Sequence, residues 1–291
     1  MQQSLAEVKD TVPKAAATEA EMRAIETSAT EPPKMVVTTT TSDDLNGTVL
    51  CEYEMLVRIP SLGKSITLEL TQSEYEIEPM FSGASWAGSV LWAAASVLCE
   101  HCLLNSSVPV ADTSVLELGC GLGIPGMVCS LLGAREVALT EQPQLVPLLE
   151  KNLLKNASVF AADELATRAP PAALALSWGT AEAEAFLEAR GGKRFDTILI
   201  CDCVFEPLYG DSWKLLCETL VVLADSSTNV LIASERRSED CIPEFQATLE
   251  VHFDLETVWN SYEEADLPSL LKSSHVQGQK KPLRIISAKR R

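Results

Sequence analysis

Apolar side chains recur in short runs from residue 53 onward, and the runs change character in a regular order. Residues 53–59 and 65–70 read as two strands with Pro60 and Gly63 between them, which predicts a β-hairpin. Residues 90–104 are apolar on most sides and contain no proline or glycine, so a buried helix is expected there. Beyond that helix the pattern alternates. Strands are expected at 114–118, 136–140, 174–178, 195–203 and 229–234, and helices at 125–132, 144–156, 212–224 and near 243–251. Pro125 suits the first turn of its helix and Gly133 closes it. A strand pair at 253–259 and 283–288 finishes the chain. Strands and helices alternating at this spacing imply a mostly parallel sheet covered on both faces, hence a doubly wound, Rossmann-like α/β domain over 49–291 with an N-terminal β-hairpin addition. Residues 1–48 show no sustained apolar period and read as a flexible leader, with a short helix near 19–27.

Composition narrows the function classes. The 291 residues carry a formal charge of −18, and 46% of them are hydrophobic, which suits one sizeable core rather than disorder. Residues 49–271 hold 33 acids and 12 bases, while 272–291 hold seven bases and no acid. A middle of net −21 repels phosphates and anionic lipid and favours cationic partners, so neither a nucleic-acid nor a membrane partner is expected. No apolar run approaches the roughly 18 residues of a membrane span, and the N-terminus lacks a basic start followed by an apolar stretch. Nine cysteines in mostly apolar surroundings suit reduced thiols, so a cytoplasmic monomer is expected. Cys99-Glu100-His101-Cys102 has zinc-like composition. With no second ligand cluster at matching spacing, the four residues read as a helix face, and no metal is expected.

The densest chemical signal is Glu117-Leu118-Gly119-Cys120-Gly121-Leu122-Gly123-Ile124-Pro125-Gly126, where a strand enters glycines and then a helix N-terminus. Side chains at such glycines would block close approach of a ligand to the backbone. Gly121, Gly123 and Gly126 match the dinucleotide fingerprint, and Glu141 stands at about the distance of a ribose contact. The strand-proximal half, an acid followed by Gly119, Gly121 and Gly123, is instead the pattern associated with S-adenosylmethionine. A cationic methyl donor suits a net-negative core better than a pyrophosphate does. A plain strand-to-helix turn is the third reading.

In its motifs the chain resembles the protein-lysine subgroup of the seven-strand, class I methyltransferases. The likeness rests on Leu91-Trp92-Ala93, the glycine loop, Thr140-Glu141, Leu176-Ser177-Trp178-Gly179, Cys201-Asp202-Cys203-Val204-Phe205-Glu206, Ser234-Glu235-Arg236-Arg237 and Arg284 to Arg290. It implies a seven-stranded sheet, S-adenosylmethionine as cofactor, and methyl transfer to a lysine of a basic protein substrate. It also implies that Trp92, Glu117, Gly119, Cys120, Gly121, Gly123, Glu141, Trp178 and Cys201 hold the cofactor. Taken singly, Trp92 and Trp178 also read as core aromatics, and Asp202 as a helix cap. Three departures stand out: Ala93 where the family has Asp, Glu141 where it has Asp, and Phe205 where it has Tyr.

Methyl transfer needs an aligned amine with a free lone pair. Asp202 is expected to orient that amine, Glu206 to assist and Phe205 to exclude water. The loss of a hydroxyl at 205 and of a carboxylate at 93 keeps a second reading open, a methyltransferase-like scaffold with little or no activity. A nicotinamide-dependent oxidoreductase is the third.

Overall fold

The computed structural model describes residues 24–26, 34–43, 49–59, 63–73, 88–162, 169–238, 240–261 and 282–291. Four strands come first: β1 (Ala24–Glu26), β2 (Lys34–Asp43), β3 (Val49–Ile59) and β4 (Lys64–Ser73). The expected hairpin is β3–β4, paired from Ile59↔Lys64 to Leu50↔Ser73 across a turn in which Gly63 has φ +61°. The expectation of a leader without fixed structure over 1–48 left no place for β1 and β2. Both pair antiparallel into the hairpin, giving the order β1-β4-β3-β2. The anticipated helix near 19–27 is a strand at Ala24–Glu26, and the rest of that stretch lies outside the described residues. The threonine-rich run of β2 has a low apolar count but suits a pleated backbone through its β-branched side chains.

Asparagines of a later helix, α3 (Val146–Lys155) and its C-cap, fasten this sheet to the rest. Asn152 Oδ1 accepts the Thr71 N–H at 2.8 Å and its amide donates to the Thr71 carbonyl. Asn156 does the same with Glu69, at 2.9 and 2.7 Å.

The main sheet has seven strands. Five are parallel: β5 (Ser114–Leu118), β6 (Glu136–Glu141), β7 (Ala172–Ala175), β8 (Thr197–Cys201) and β9 (Asn229–Glu235). β10 (Phe253–Asn260) and β11 (Leu283–Arg290) add an antiparallel pair, β11 running against β9. The order β10-β11-β9-β8-β5-β6-β7 is the doubly wound α/β arrangement that the pattern and the resemblance lead one to expect. Period-two alternation splits each central strand between two cores. Val115, Leu199 and Leu231 face the helices α1 (Ala93–Leu98), α2 (Ile124–Leu131) and α3. Leu116, Ile198, Ile200 and Ile232 face α7 (Ser212–Leu223) and α8 (Ile242–Leu249).

Three local readings differ from the structure. The third strand is 172–175 rather than 174–178, because Leu176 and Trp178, which drew the apolar pattern downstream, pack from the following loop. After α4, the single turn Ala157–Phe160 that precedes this strand, comes an unannounced helix, α5 (Thr180–Ala189): Ala183 is its only fully buried residue, so its sequence carries almost no apolar stripe. The helix expected at 90–104 is α-helical only over Ala93–Leu98 and continues as a π-turn, Cys99–Leu103, closed by Leu104 N–H on the Cys99 carbonyl. That turn separates the would-be zinc ligands. Cys99 and Cys102 are buried in the core, Glu100 accepts the Met35 N–H, and His101 stacks on Trp259 with ring centroids 4.3 Å apart.

β5 lies between β6 and β8, and chain direction through the sheet reverses there. In open α/β sheets a ligand crevice lies outside the carboxyl ends of the strands at such a switch point.

Candidate active site

A cavity of about 260 Å³ opens at that place. Gly119, Cys120, Gly121 and Gly123 line it from the loop after β5, Glu117 from the end of β5, and Glu141 from the end of β6. Trp178 comes from the loop after β7, Cys201 and Asp202 from the end of β8, and Trp92 from just before α1. All nine residues expected around the cofactor, and Asp202, therefore meet in one place.

Glycine is required in this loop for stated reasons. Gly119, Gly121 and Gly123 all have left-handed backbones, with φ of +60°, +54° and +77°. A Cβ on Gly119 would stand 2.8 Å from the Cys203 thiol and 2.9 Å from the Trp178 ring, and one on Gly121 would stand 2.9 Å from the Gly88 carbonyl. At these two positions only backbone fits between the loop and its neighbours.

Two carboxylates sit behind it. Glu117, 1% exposed, accepts the Gly126 N–H at 2.8 Å, and burial pushes its carboxyl up to about 8, with Glu141 adding to the rise. Glu141 accepts the N–H groups of Gly121 (3.0 Å) and Gln142 (2.8 Å), and burial raises its carboxyl too. Two buried acids in one cavity, with no cationic side chain among its described lining residues, favour a ligand that brings positive charge. S-adenosylmethionine fits that lining through its ammonium and sulfonium. A pyrophosphate would instead bring negative charge beside the two acids, and the N–H of Gly126 in the first turn of α2 is already held by the Glu117 carboxylate.

Asp202 is 4% exposed and follows β8 with φ +57°, a strained backbone for a non-glycine residue. Its oxygens are engaged: Arg237 donates from Nη1 (3.1 Å) and Nη2 (2.5 Å), and the Glu235 N–H donates at 3.1 Å. Burial raises the Asp202 carboxyl and Arg237 opposes that rise. Arg237 also bonds the Glu235 carboxylate, and its guanidinium lies 5.1 Å from the ring centres of both Trp92 and Phe205. The sequence pointed to the stretch containing Arg237 without showing that it pairs with Asp202; a cation at the end of the strand next to β8 was the available signal.

Phe205 and Glu206 do not line the cavity. Phe205 caps a one-turn helix, α6 (Glu206–Tyr209), with its ring on Arg237, and Glu206 accepts the Cys241 thiol at 2.7 Å. Tyr209 and Ser212, which sequence reasoning passed over, do line it.

A model of a lysine methyltransferase family matches residues 72–250. The chain is 44% identical over 130 residues to secreted RxLR effector protein 48 of Plasmopara viticola, a match covering 44% of this chain and 66% of that protein. It is 30% identical over 184 residues to EEF1A lysine methyltransferase 3 of Xenopus tropicalis, covering 60% of this chain and 74% of that one. To the protein-lysine methyltransferase METTL21E of Mus musculus it is 32% identical over 165 residues, covering 56% and 64%. The matched stretches span about two thirds of the length of these curated relatives. Because the family match covers the whole cofactor-side construction from α1 to β9, the chain belongs to the lysine methyltransferase family.

Proposed function

We propose that the protein transfers a methyl group from S-adenosylmethionine to the side-chain amine of a lysine on a basic protein. The observation that carries this reading is the family match over 72–250, which encloses the glycine loop, both buried acids and Asp202. Glu117 and Glu141 supply negative charge for the cofactor's cationic groups, the backbone of 119–123 gives it close approach, and Trp92 and Trp178 wall the cavity. The cofactor supplies, when bound, an electrophilic methyl: the amine lone pair forms the N–C bond, the C–S pair returns to sulfur, and the product's extra proton goes to solvent.

Asp202 does not present a bare carboxylate to the amine. It shares the Arg237 cation with Glu235, and that cation lessens the tendency of an acidic site to hold a lysine protonated. Phe205 acts through Arg237, whose guanidinium lies within 5.1 Å of its ring centre and of that of Trp92. Glu206, bonded to Cys241, belongs to the rim. The −21 charge of 49–271 supports a basic substrate surface rather than a nucleic acid or an anionic membrane. We place the enzyme in the cytoplasm, a reading supported by the described cysteines, which form no disulfide and are mostly buried thiols.

The test is incubation of the purified protein with labelled S-adenosylmethionine and cell lysate, followed by mass spectrometry of labelled bands. Label on a lysine, lost in Asp202→Asn while the folded variant still binds S-adenosylhomocysteine, is the expected result. Cofactor binding without transfer to any lysate protein would convert the reading to a scaffold. Tighter binding of NAD than of S-adenosylhomocysteine would overturn it.

A further inference from the structure

Most polar side chains of the cavity are already committed. Glu117 and Glu141 accept backbone N–H groups, Asp202 is held by Arg237, Gln142 bonds Gln144, and the Cys203 thiol faces the carbonyls of Leu118, Gly119 and Cys201. Among the described residues three hydroxyls of the lining have no hydrogen-bond partner, those of Ser177, Tyr209 and Ser212. Ser177 is exposed and comes from the loop after β7 beside Trp178. Tyr209 and Ser212 are half-buried, and the Ser212 Oγ is shut off from solvent. A buried hydroxyl left unpaired costs free energy that a ligand can recover.

The place of Tyr209 and Ser212 in the fold separates them from the cofactor cradle. Tyr209 ends the one-turn helix α6 and its N–H bonds the Phe205 carbonyl, so it stands one turn beyond Phe205. Ser212 opens α7 three residues later. This segment follows Asp202, whereas the glycine loop, Glu141 and Trp178 come from the other strands. The Tyr209 ring lies within the fields of Asp202, Cys203, Glu141 and Arg237, and burial keeps its phenol protonated.

We propose that the hydroxyls of Tyr209 and Ser212 form the subsite that receives the acceptor amine, and that they position it for methyl transfer. This rests on the methyltransferase reading above. A neutral primary amine has two N–H donors and one lone pair. Two neutral oxygens can accept both N–H groups and leave the lone pair free, without the preference for the ammonium form that a carboxylate imposes. The hydroxyl absent at Phe205 is thereby supplied from Tyr209, four residues on.

The experiment uses two cofactor analogues. Sinefungin carries an amine where S-adenosylmethionine has its sulfonium methyl, and S-adenosylhomocysteine has nothing there. Calorimetry measures both with the wild type, Tyr209→Phe, Ser212→Ala and the double variant; each change removes one oxygen that bonds nothing among the described residues. The expected result is a loss of about tenfold or more in sinefungin affinity in the double variant, with S-adenosylhomocysteine within about twofold of wild type. Equal losses for both analogues would assign the hydroxyls to the cofactor, and no loss for either would leave them without a ligand role; each overturns the proposal. A wild type that binds neither analogue would instead refute the methyltransferase reading, and the proposal with it.

Discussion

Replacing Glu117 with Gln separates that residue's shape from its charge. The side chain is buried, its Oε2 holds the Gly126 N–H, and its carboxyl is raised from 4.5 to about 8, chiefly by burial. Between those values the folded chain binds a proton that the unfolded chain has released. Stability from this group is therefore complete below about pH 4.5 and is lost as the pH rises through 8. At 1.36 kcal/mol for each pH unit of the gap, the loss approaches about 5 kcal/mol. Gln keeps an oxygen for Gly126 and removes the titration. The assay is urea unfolding of the cofactor-free protein and Glu117→Gln at about pH 5, 6.5 and 8. Glu141 and Asp202, also raised by burial, titrate in both proteins, so the difference between the two curves reports Glu117 together with its coupling to Glu141. That difference should grow by several kcal/mol toward pH 8 in favour of the variant. A difference independent of pH would refute the assignment of a protonated Glu117 to the cofactor-free state.

Two further outcomes follow from the site. Arg237→Leu strands the buried Asp202 carboxylate and should cost about 3–5 kcal/mol in chemical denaturation, while adding Asp202→Asn should recover part of that loss; additive costs would contradict the coupling. Gly126→Ala sets a Cβ 2.1 Å from Leu139 Cδ2 and 3.0 Å from the Glu117 carboxylate, and Leu139 is itself fully buried. It should destabilise by about 1–3 kcal/mol and weaken S-adenosylhomocysteine binding measured by tryptophan fluorescence, and unchanged values in both would contradict the packing.

The central sheet was legible because its strands are short apolar runs between glycines, prolines and helices. The glycine loop was legible because three left-handed positions in five residues leave almost no alternative residue. What escaped depends on pairing between distant segments. Nothing in the local pattern of β2 states that it pairs with residues 49–58, and the 34 residues between Asp202 and Arg237 hide an ion pair that forms only because β8 and β9 are neighbours. Helix α5 escaped for the opposite reason, since it buries too little to leave a stripe. Phe205 drew attention through its place in a motif, while Tyr209 and Ser212 required the cavity itself to be seen.

Asn152 and Asn156 bear on solubility. Four residues along a helix advance about 6 Å, close to the roughly 6.8 Å between alternate residues of a strand. Two amides on one helix face can therefore present a donor and an acceptor at each of two successive rungs, as a neighbouring strand would, and they do so at Thr71 and Glu69, on the stretch of β4 beyond its pairing with β1. An open stretch of strand there is a template for another chain. The helix ends the sheet by imitating its next strand, and so removes a place at which one molecule could begin to add to another.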